Sequence, residues 1–408
     1  MNEAAGGGPR EQIDPSGRRA GGSERQHGDT ACHGGDLPDA LRHSRTRAVF
    51  GAGRLAELGE IVRAEGASRV LLVTDPGLER AGHAERALES LRAATLHVTV
   101  FDGVEDNPTT EHVAAGVKVA RSEGIDFLVG LGGGSAMDCA KGIDFLLTNG
   151  GQMKDYWGVN KATRPMLPMV AVPTTAGTGS EAQSFALIAD PVTHRKMACG
   201  DVKAACRVAI LDPDLTRTQP PEVAAAAGID AVAHAVETAA TTKRNDVSMS
   251  LSGEAWRRLD RSFDRAMADP ANDAARADML LAAHLAGAAI ERSMLGAAHA
   301  CANPLTARLG VTHGVAVGVM LPHVIRFNAA DGSNPYANLC DNAEALAQRV
   351  EAMLAVAGLP VSLLALNVPE AMHDDLAREA SEQWTAKFNP RPVDVAAMKT
   401  LYAAAWPR

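Results

Sequence analysis

Residues 125–143 read IDFLVGLGGGSAMDCAKGI, and this stretch decides the fold. Phe127–Leu131 is an apolar run with the length of a buried strand. It runs straight into Gly132, Gly133 and Gly134, with Ser135 expected at the N-cap of a helix that begins near Ala136. Glycines let a backbone come close to a phosphate, and a helix start offers free N–H groups with a partial positive charge. The segment reads as a pyrophosphate cradle, although neither common phosphate motif fits. A GxGxxG counted from Gly130 would need glycine at Ser135, and a P-loop would need GK followed by Ser or Thr. A tight strand-to-helix turn without a ligand is the plain alternative. Asp138 and Lys141 fall on the first turns of the helix, and for Lys141 the expectation is an exposed local ion pair.

Working outward, Arg69–Thr74 (RVLLVT), Leu96–Phe101 and Met169–Val172 read as further strands, with helical stretches such as Glu111–Glu123 between them. Strands alternating with helices predict a largely parallel sheet. The strand at Met169–Val172 enters Pro173–Glu181, PTTAGTGSE, whose Thr174, Thr175, Thr178, Ser180, Gly177 and Gly179 make a second cradle. Two such loops at strand ends of one sheet suit a dinucleotide at a switch point. Asp75, after the first of these strands, could accept hydrogen bonds from an adenosine ribose, or be a plain turn residue before Pro76.

After Pro220-Pro221 the pattern turns helical, with no convincing strand to the end. The expected organisation is a disordered tail at 1–44, rich in Gly, Arg, Asp and Ser; an α/β nucleotide-binding domain at 45–219; and an all-helical metal-binding domain at 220–408. A chain of 408 residues with 46% hydrophobic and 22% charged residues can bury two large cores. Its net charge of −9 gives no general reason to bind nucleic acid or an anionic membrane. No uninterrupted apolar run reaches a membrane helix, and Met279–Ile290 reads as a buried helix around His284. Six cysteines without a CxxC pair, and no apolar signal core after Met1, point to reduced thiols in a cytoplasm.

Gly228–Glu237 reads GIDAVAHAVE, which puts Asp230 and His234 four apart on one helix face. Gly296–Asn328 supplies His299 and His313, fourteen positions apart. One straight helix would separate these two by roughly 21 Å, but Pro304 and Gly310 between them are expected to break it, so that the chain doubles back. Three imidazoles and a carboxylate would then suit divalent iron or zinc with an open position for a substrate oxygen. Each histidine alone could equally be a satisfied core residue, the expectation for His284 and His323.

Together with Phe50–Gly53, Val73–Asp75, Asn107-Pro108-Thr109, Asp155–Gly158, Leu211–Thr216 and Asn389–Val393, these segments resemble the iron-containing alcohol dehydrogenases, whose fold is similar to dehydroquinate synthase. The resemblance spans about residues 46–395. It implies an α/β dinucleotide-binding domain beside an all-helical one, usually as a homodimer, and hydride exchange between NAD and small alcohols, aldehydes or ketones. Its metal ligands fall on Asp230, His234, His299 and His313, for one ion, Fe2+ or alternatively Zn2+. Its cofactor contacts fall on Asp75, Asn107, Gly133, Gly134, Ser135, Asp138, Thr174, Thr175, Thr178, Phe185, Lys196 and Leu215. One departure is Asn303: many members carry a histidine there, and asparagine cannot carry a proton at neutral pH. A lyase related to dehydroquinate synthase, using the same NAD and metal, is the main alternative, with a metallohydrolase behind it.

Overall fold

The computed structural model describes residues 37–192 and 195–406. Of the expected tail, residues 1–36 lie outside the described residues. Residues 37–44 do not behave as a tail: Asp39–His43 forms a short 3-10 helix, and Ala40 and Leu41 rest against the helical core. The backbone carbonyl of His43 accepts a hydrogen bond from Arg292. The structured chain thus begins before Arg45.

The strands are β1 (Arg47–Phe50), β2 (Arg69–Val73), β3 (His97–Phe101), β4 (Phe127–Gly132), β5 (Gly158–Val159), β6 (Met169–Pro173), β7 (Phe185–Ala189), β8 (Lys196–Gly200) and β9 (Val208–Leu211). Six of them form a parallel sheet in the order β1-β9-β6-β4-β2-β3. A smaller sheet runs β5-β8-β7, with β7 antiparallel to β8.

The α/β half also holds α1 (Leu58–Ala64), α2 (Pro76–Arg80), α3 (His83–Ala93), α4 (Thr110–Glu123) and α5 (Gly134–Asn149). Its strands are apolar on both faces because helices cover both. Val70 and Leu72 pack under Leu58 and Leu91, whereas Leu71 and Val73 pack with Val113 and Ile143 on the other side.

From Pro221 onward every described element is helical: α6 (Pro221–Ala240), α7 (Asp246–Ala268), α8 (Asp273–Arg292), α9 (Ala297–Leu309), α10 (His313–Asn328), α11 (Ala343–Val356), α12 (His373–Glu382) and α13 (Val395–Ala404), with short 3-10 turns among them. Pro221 opens α6 in its first turn, where an amide hydrogen would have no partner within the helix. By length and composition α6 could cross a membrane, but 83% of its apolar window is buried against the rest of the protein. Ala231, Val232, Ala235 and Val236 make it the packing centre of the helical core. Pro304 does not break α9 as expected; the helix runs through it to Leu309 and stops at Gly310, which takes the left-handed conformation at φ 67°. Gly310 alone lets the chain turn back into α10.

Candidate active site

At the end of β4 the chain enters the glycines. Gly133, not Ser135, is the N-cap of α5, which starts at Gly134. Ser135 falls inside the first turn, and its hydroxyl accepts the Asn107 N–H at 3.3 Å. A glycine cap is possible here because the extended backbone of Gly133 leaves the first N–H groups open without a side chain over them. The second loop lies directly alongside. The Thr174 N–H donates to the Gly132 carbonyl at 2.9 Å. A Cβ on Gly134 would stand 2.9 Å from the Thr178 side chain, and one on Gly133 would stand 3.5 Å from Thr175. The two loops therefore form one cradle, small enough at its floor that a side chain would fill it. That space and those open amides fit a pyrophosphate.

Lys141 is not on a solvent-exposed face. It is 1% exposed and its Nζ donates to the Ser180 carbonyl at 2.6 Å, the Ser180 hydroxyl at 2.9 Å and the Phe185 carbonyl at 3.0 Å. The Ser180 hydroxyl in turn donates to Asp138 Oδ1 at 2.6 Å. The expected exposed ion pair fails because α5 is covered by the sheet on one side and by β7 on another, leaving Lys141 no route to water. Burial pushes the Asp138 carboxyl up, against the pull of Lys141 and the Ser180 hydrogen bond.

The remaining nucleotide-side residues are spread along the same edge. Asp75 caps α2 through the Leu78 N–H at 3.1 Å, at the strand end next to Gly132. Asn107 adopts φ 54° and accepts from Lys196 Nζ at 3.1 Å. Phe185 stacks on Trp384 with ring centroids 5.7 Å apart, joining the small sheet to the helical half. Leu215 is the outlier: its side chain is fully buried in the core beneath the sheet, so only its backbone could meet a ligand.

Asp230 and His234 lie on α6, His299 on α9, and His313 opens α10. The structure brings the four together. Asp230 Oδ1 stands 3.5 Å from His234 Nε2, 3.5 Å from His299 Nε2 and 4.0 Å from His313 Nε2. Ligand atoms of Asp230, His299 and His313 all lie within 4.8 Å of one another, and the His234 ring stacks on His299 at 4.8 Å between centroids. Asp230 Oδ1 and His299 Nε2 are buried with no hydrogen-bond partner. Buried polar atoms without partners are costly, and a carboxylate and imidazole nitrogens aimed at one point are a donor set that a divalent ion satisfies. Burial alone would raise the Asp230 carboxyl, but the surrounding histidines outweigh it and hold it well below the usual carboxylate range. Desolvation at the cleft floor lowers His313 to about 3, which keeps its ring neutral, the form that ligates.

Sequence reasoning missed Glu237. One carboxylate oxygen takes Nδ1 of His299 and the other accepts the Ala298 N–H at 2.8 Å. His299 is thereby turned so that Nε2 faces the cluster. The signal was present: Asp230, His234 and Glu237 recur at i, i+4 and i+7 on one helix stripe. Asn389 adds a second hold, accepting the Ala297 N–H at 3.2 Å from the Asn389–Val393 segment. His284 fits its core reading, buried against Glu181 at 3.1 Å. His323 does not: it is half-buried and faces a separate surface hollow with Arg326 and Arg391. His313 lines a cavity of about 1160 Å3 together with Asn107, Lys196, Asn303 and Trp384 among others.

Comparison with known proteins follows the same division. The family described as iron-containing alcohol dehydrogenase matches residues 45–213, and the C-terminal part of the Fe-containing alcohol dehydrogenase family matches residues 224–406. Alcohol dehydrogenase 4 of Schizosaccharomyces pombe is 35% identical over 354 residues, covering 84% of this chain and 83% of its own. A solved 1,3-propanediol oxidoreductase superposes with a TM-score of 0.85 at 33% identity, over 89% of this chain and 98% of that one. Sulfoacetaldehyde reductase from Bifidobacterium kashiwanohense, solved in complex with NAD+, gives 0.80 at 28% identity, over 91% of this chain and 98% of that one.

Proposed function

The chain belongs to the iron-containing alcohol dehydrogenase family, and from that premise we propose that Asp230, His234, His299 and His313 hold one divalent ion beside an NAD molecule seated on the two loops. Iron is the preferred ion and zinc the alternative, since both accept this donor set. The NAD contacts we assign are Asp75, Asn107, Gly133, Gly134, Ser135, Asp138, Thr174, Thr175, Thr178, Phe185 and Lys196, with Leu215 through its backbone only. The protein is an oxidoreductase acting on alcohols, and small alcohols with their aldehydes or ketones are its proposed substrates. A lyase is disfavoured, because the matching family and relatives are alcohol dehydrogenases.

When bound, the ion supplies a Lewis acid for an alcohol or carbonyl oxygen, and the nicotinamide takes or gives the hydride. The chain's own part is placement. The α5 N-terminus and the loop hydroxyls receive the pyrophosphate, Lys141 pins the second loop to α5, and Glu237 fixes the face that His299 presents. Asn303, where many members carry a histidine, moves no proton. The observation that carries this reading is the convergence of three imidazole nitrogens on Asp230 Oδ1, with His313 lining the same cavity as Asn107 and Lys196. NADH formation at 340 nm from a panel of short alcohols, with iron-loaded and chelator-stripped protein, tests it. Activity lost on stripping and restored by metal is expected; turnover by the stripped protein would overturn it. We further propose a homodimer in the cytoplasm, the second supported by free thiols at all five described cysteines.

A further inference from the structure

The segment that follows β6 presents its residues in different directions. Thr175 and Thr178 border the glycines at the start of α5, and Ser180 meets Lys141. Gly179, Glu181 and Ser184 turn another way, onto α8. His284 Nδ1 donates to Glu181 Oε1 at 3.1 Å, since a carboxylate only accepts. Ser184 gives its backbone N–H to Glu291 Oε2 at 3.0 Å and its hydroxyl to the same carboxylate at 2.9 Å. Between these two links Gly287 abuts Gly179. His284, Gly287 and Glu291 stand at i, i+3 and i+7, one stripe of α8. Arg45 Nε also reaches Glu291, at 3.2 Å, but from a partly exposed side chain, and adds little.

α8 carries none of Asp230, His234, His299 and His313, yet it puts an imidazole and a carboxylate into a closed interface. His284 is 0% and Glu181 2% exposed. Apolar side chains would hold a helix against a loop without burying such groups. Hydrogen bonds add what apolar packing lacks, a fixed direction. We propose that His284 and Glu291 are positioning residues for NAD, each holding one point of the segment Gly179–Ser184 so that Thr175 and Thr178 stay against the glycines of α5. The inference rests on the dehydrogenase reading above. A loop that shifts by about 1 Å misplaces every group it offers to the cofactor.

The test is titration of full-length, iron-loaded protein with NAD, beside metal analysis, thermal melts and steady-state kinetics. His284→Leu and Glu291→Leu are expected to raise Kd for NAD about tenfold. Iron content should not change, and kcat at saturating NAD should stay within about twofold of wild type. His284→Asn keeps an N–H near the Nδ1 position and Glu291→Gln keeps an acceptor for the Ser184 N–H, so both should remain within about threefold of wild type. Leu285→Ala, which opens a cavity on another face of α8, should lower the melting temperature without changing NAD affinity. Folded Leu variants that bind NAD as the wild type does, conservative variants no better than the Leu ones, or an equal loss in Leu285→Ala overturn the proposal. If the Leu variants do not fold, Ser184→Ala removes one donor to Glu291 with little change in volume and should raise Kd several-fold; an unchanged Kd there also overturns it. Each of these results leaves the dehydrogenase reading standing, whereas a wild type that binds no NAD overturns both.

Discussion

Glu237 and His299 are joined through Nδ1 of the imidazole, and the second Glu237 oxygen takes the Ala298 N–H at 2.8 Å, so one carboxylate fixes both the ring and the helix start that carries it. Neutralising it should loosen the ligand without removing it. Glu237→Gln is expected to weaken iron binding by about 10- to 100-fold. Competition with a chelator reads this directly, and metal affinity equal to wild type would refute the positioning role.

His313 and His323 share α10 but not a destination. His313→Ala should lose the bound metal and lower kcat/KM on the order of a thousandfold, since polarising the reacting oxygen is worth several kcal/mol. His323→Ala should retain metal and turnover. Metal analysis beside steady-state kinetics separates them; full metal and near-normal turnover in His313→Ala would remove it from the ligand set.

Lys141 meets three oxygens in the core, so Lys141→Met leaves Ser180 and Asp138 buried with fewer partners. The expected cost is about 3 kcal/mol of stability, with a rise in KM for NAD because the second loop loses its anchor. Thermal melts and NAD titration of the folded variant check both. A melting temperature within a degree of wild type would show that Lys141 contributes little.

Asp75 offers one oxygen to cap α2 at 3.1 Å and places a negative charge at the strand end expected to face the adenosine ribose. NAD is expected to be preferred over NADP, because a 2′-phosphate meets that charge. Asp75→Asn keeps the cap and drops the charge, so the NAD:NADP ratio of kcat/KM should fall by about tenfold. Equal wild-type values for the two cofactors would end this explanation.

The parts of the fold legible in the sequence are those whose environment is symmetric. β2, β4 and β6 are buried on both faces and read as plain apolar runs. β1 escaped notice because it is a four-residue edge strand, RAVF, pairing only with β9 some 160 residues later. β8, KMACG, lacks branched residues, and its fit depends on Gly200 lying flat against Phe185. The convergence of Asp230, His234, His299 and His313 could be foreseen because helical spacing and Gly310 are local features. Lys141 could not: three residues after Asp138, it looks like a surface pair, and only the layers packed around α5 show otherwise. That residues 37–44 pack on the helical half is illegible for a similar reason, since Ala40 and Leu41 acquire meaning only from the helices they touch.

Gly179, at φ 60°, meets Gly287 of α8 with backbone against backbone; a Cβ on either would come within 2.8 Å of the other's main chain. No side chain lies between the nucleotide loop and the helical half at this point, so no rotamer there can give way. A larger residue at either position would push the loop off α8, so this contact holds the nucleotide loop at a fixed distance from the helical half. The two glycines thus set the spacing between the loop that follows β6 and the helix that carries His284.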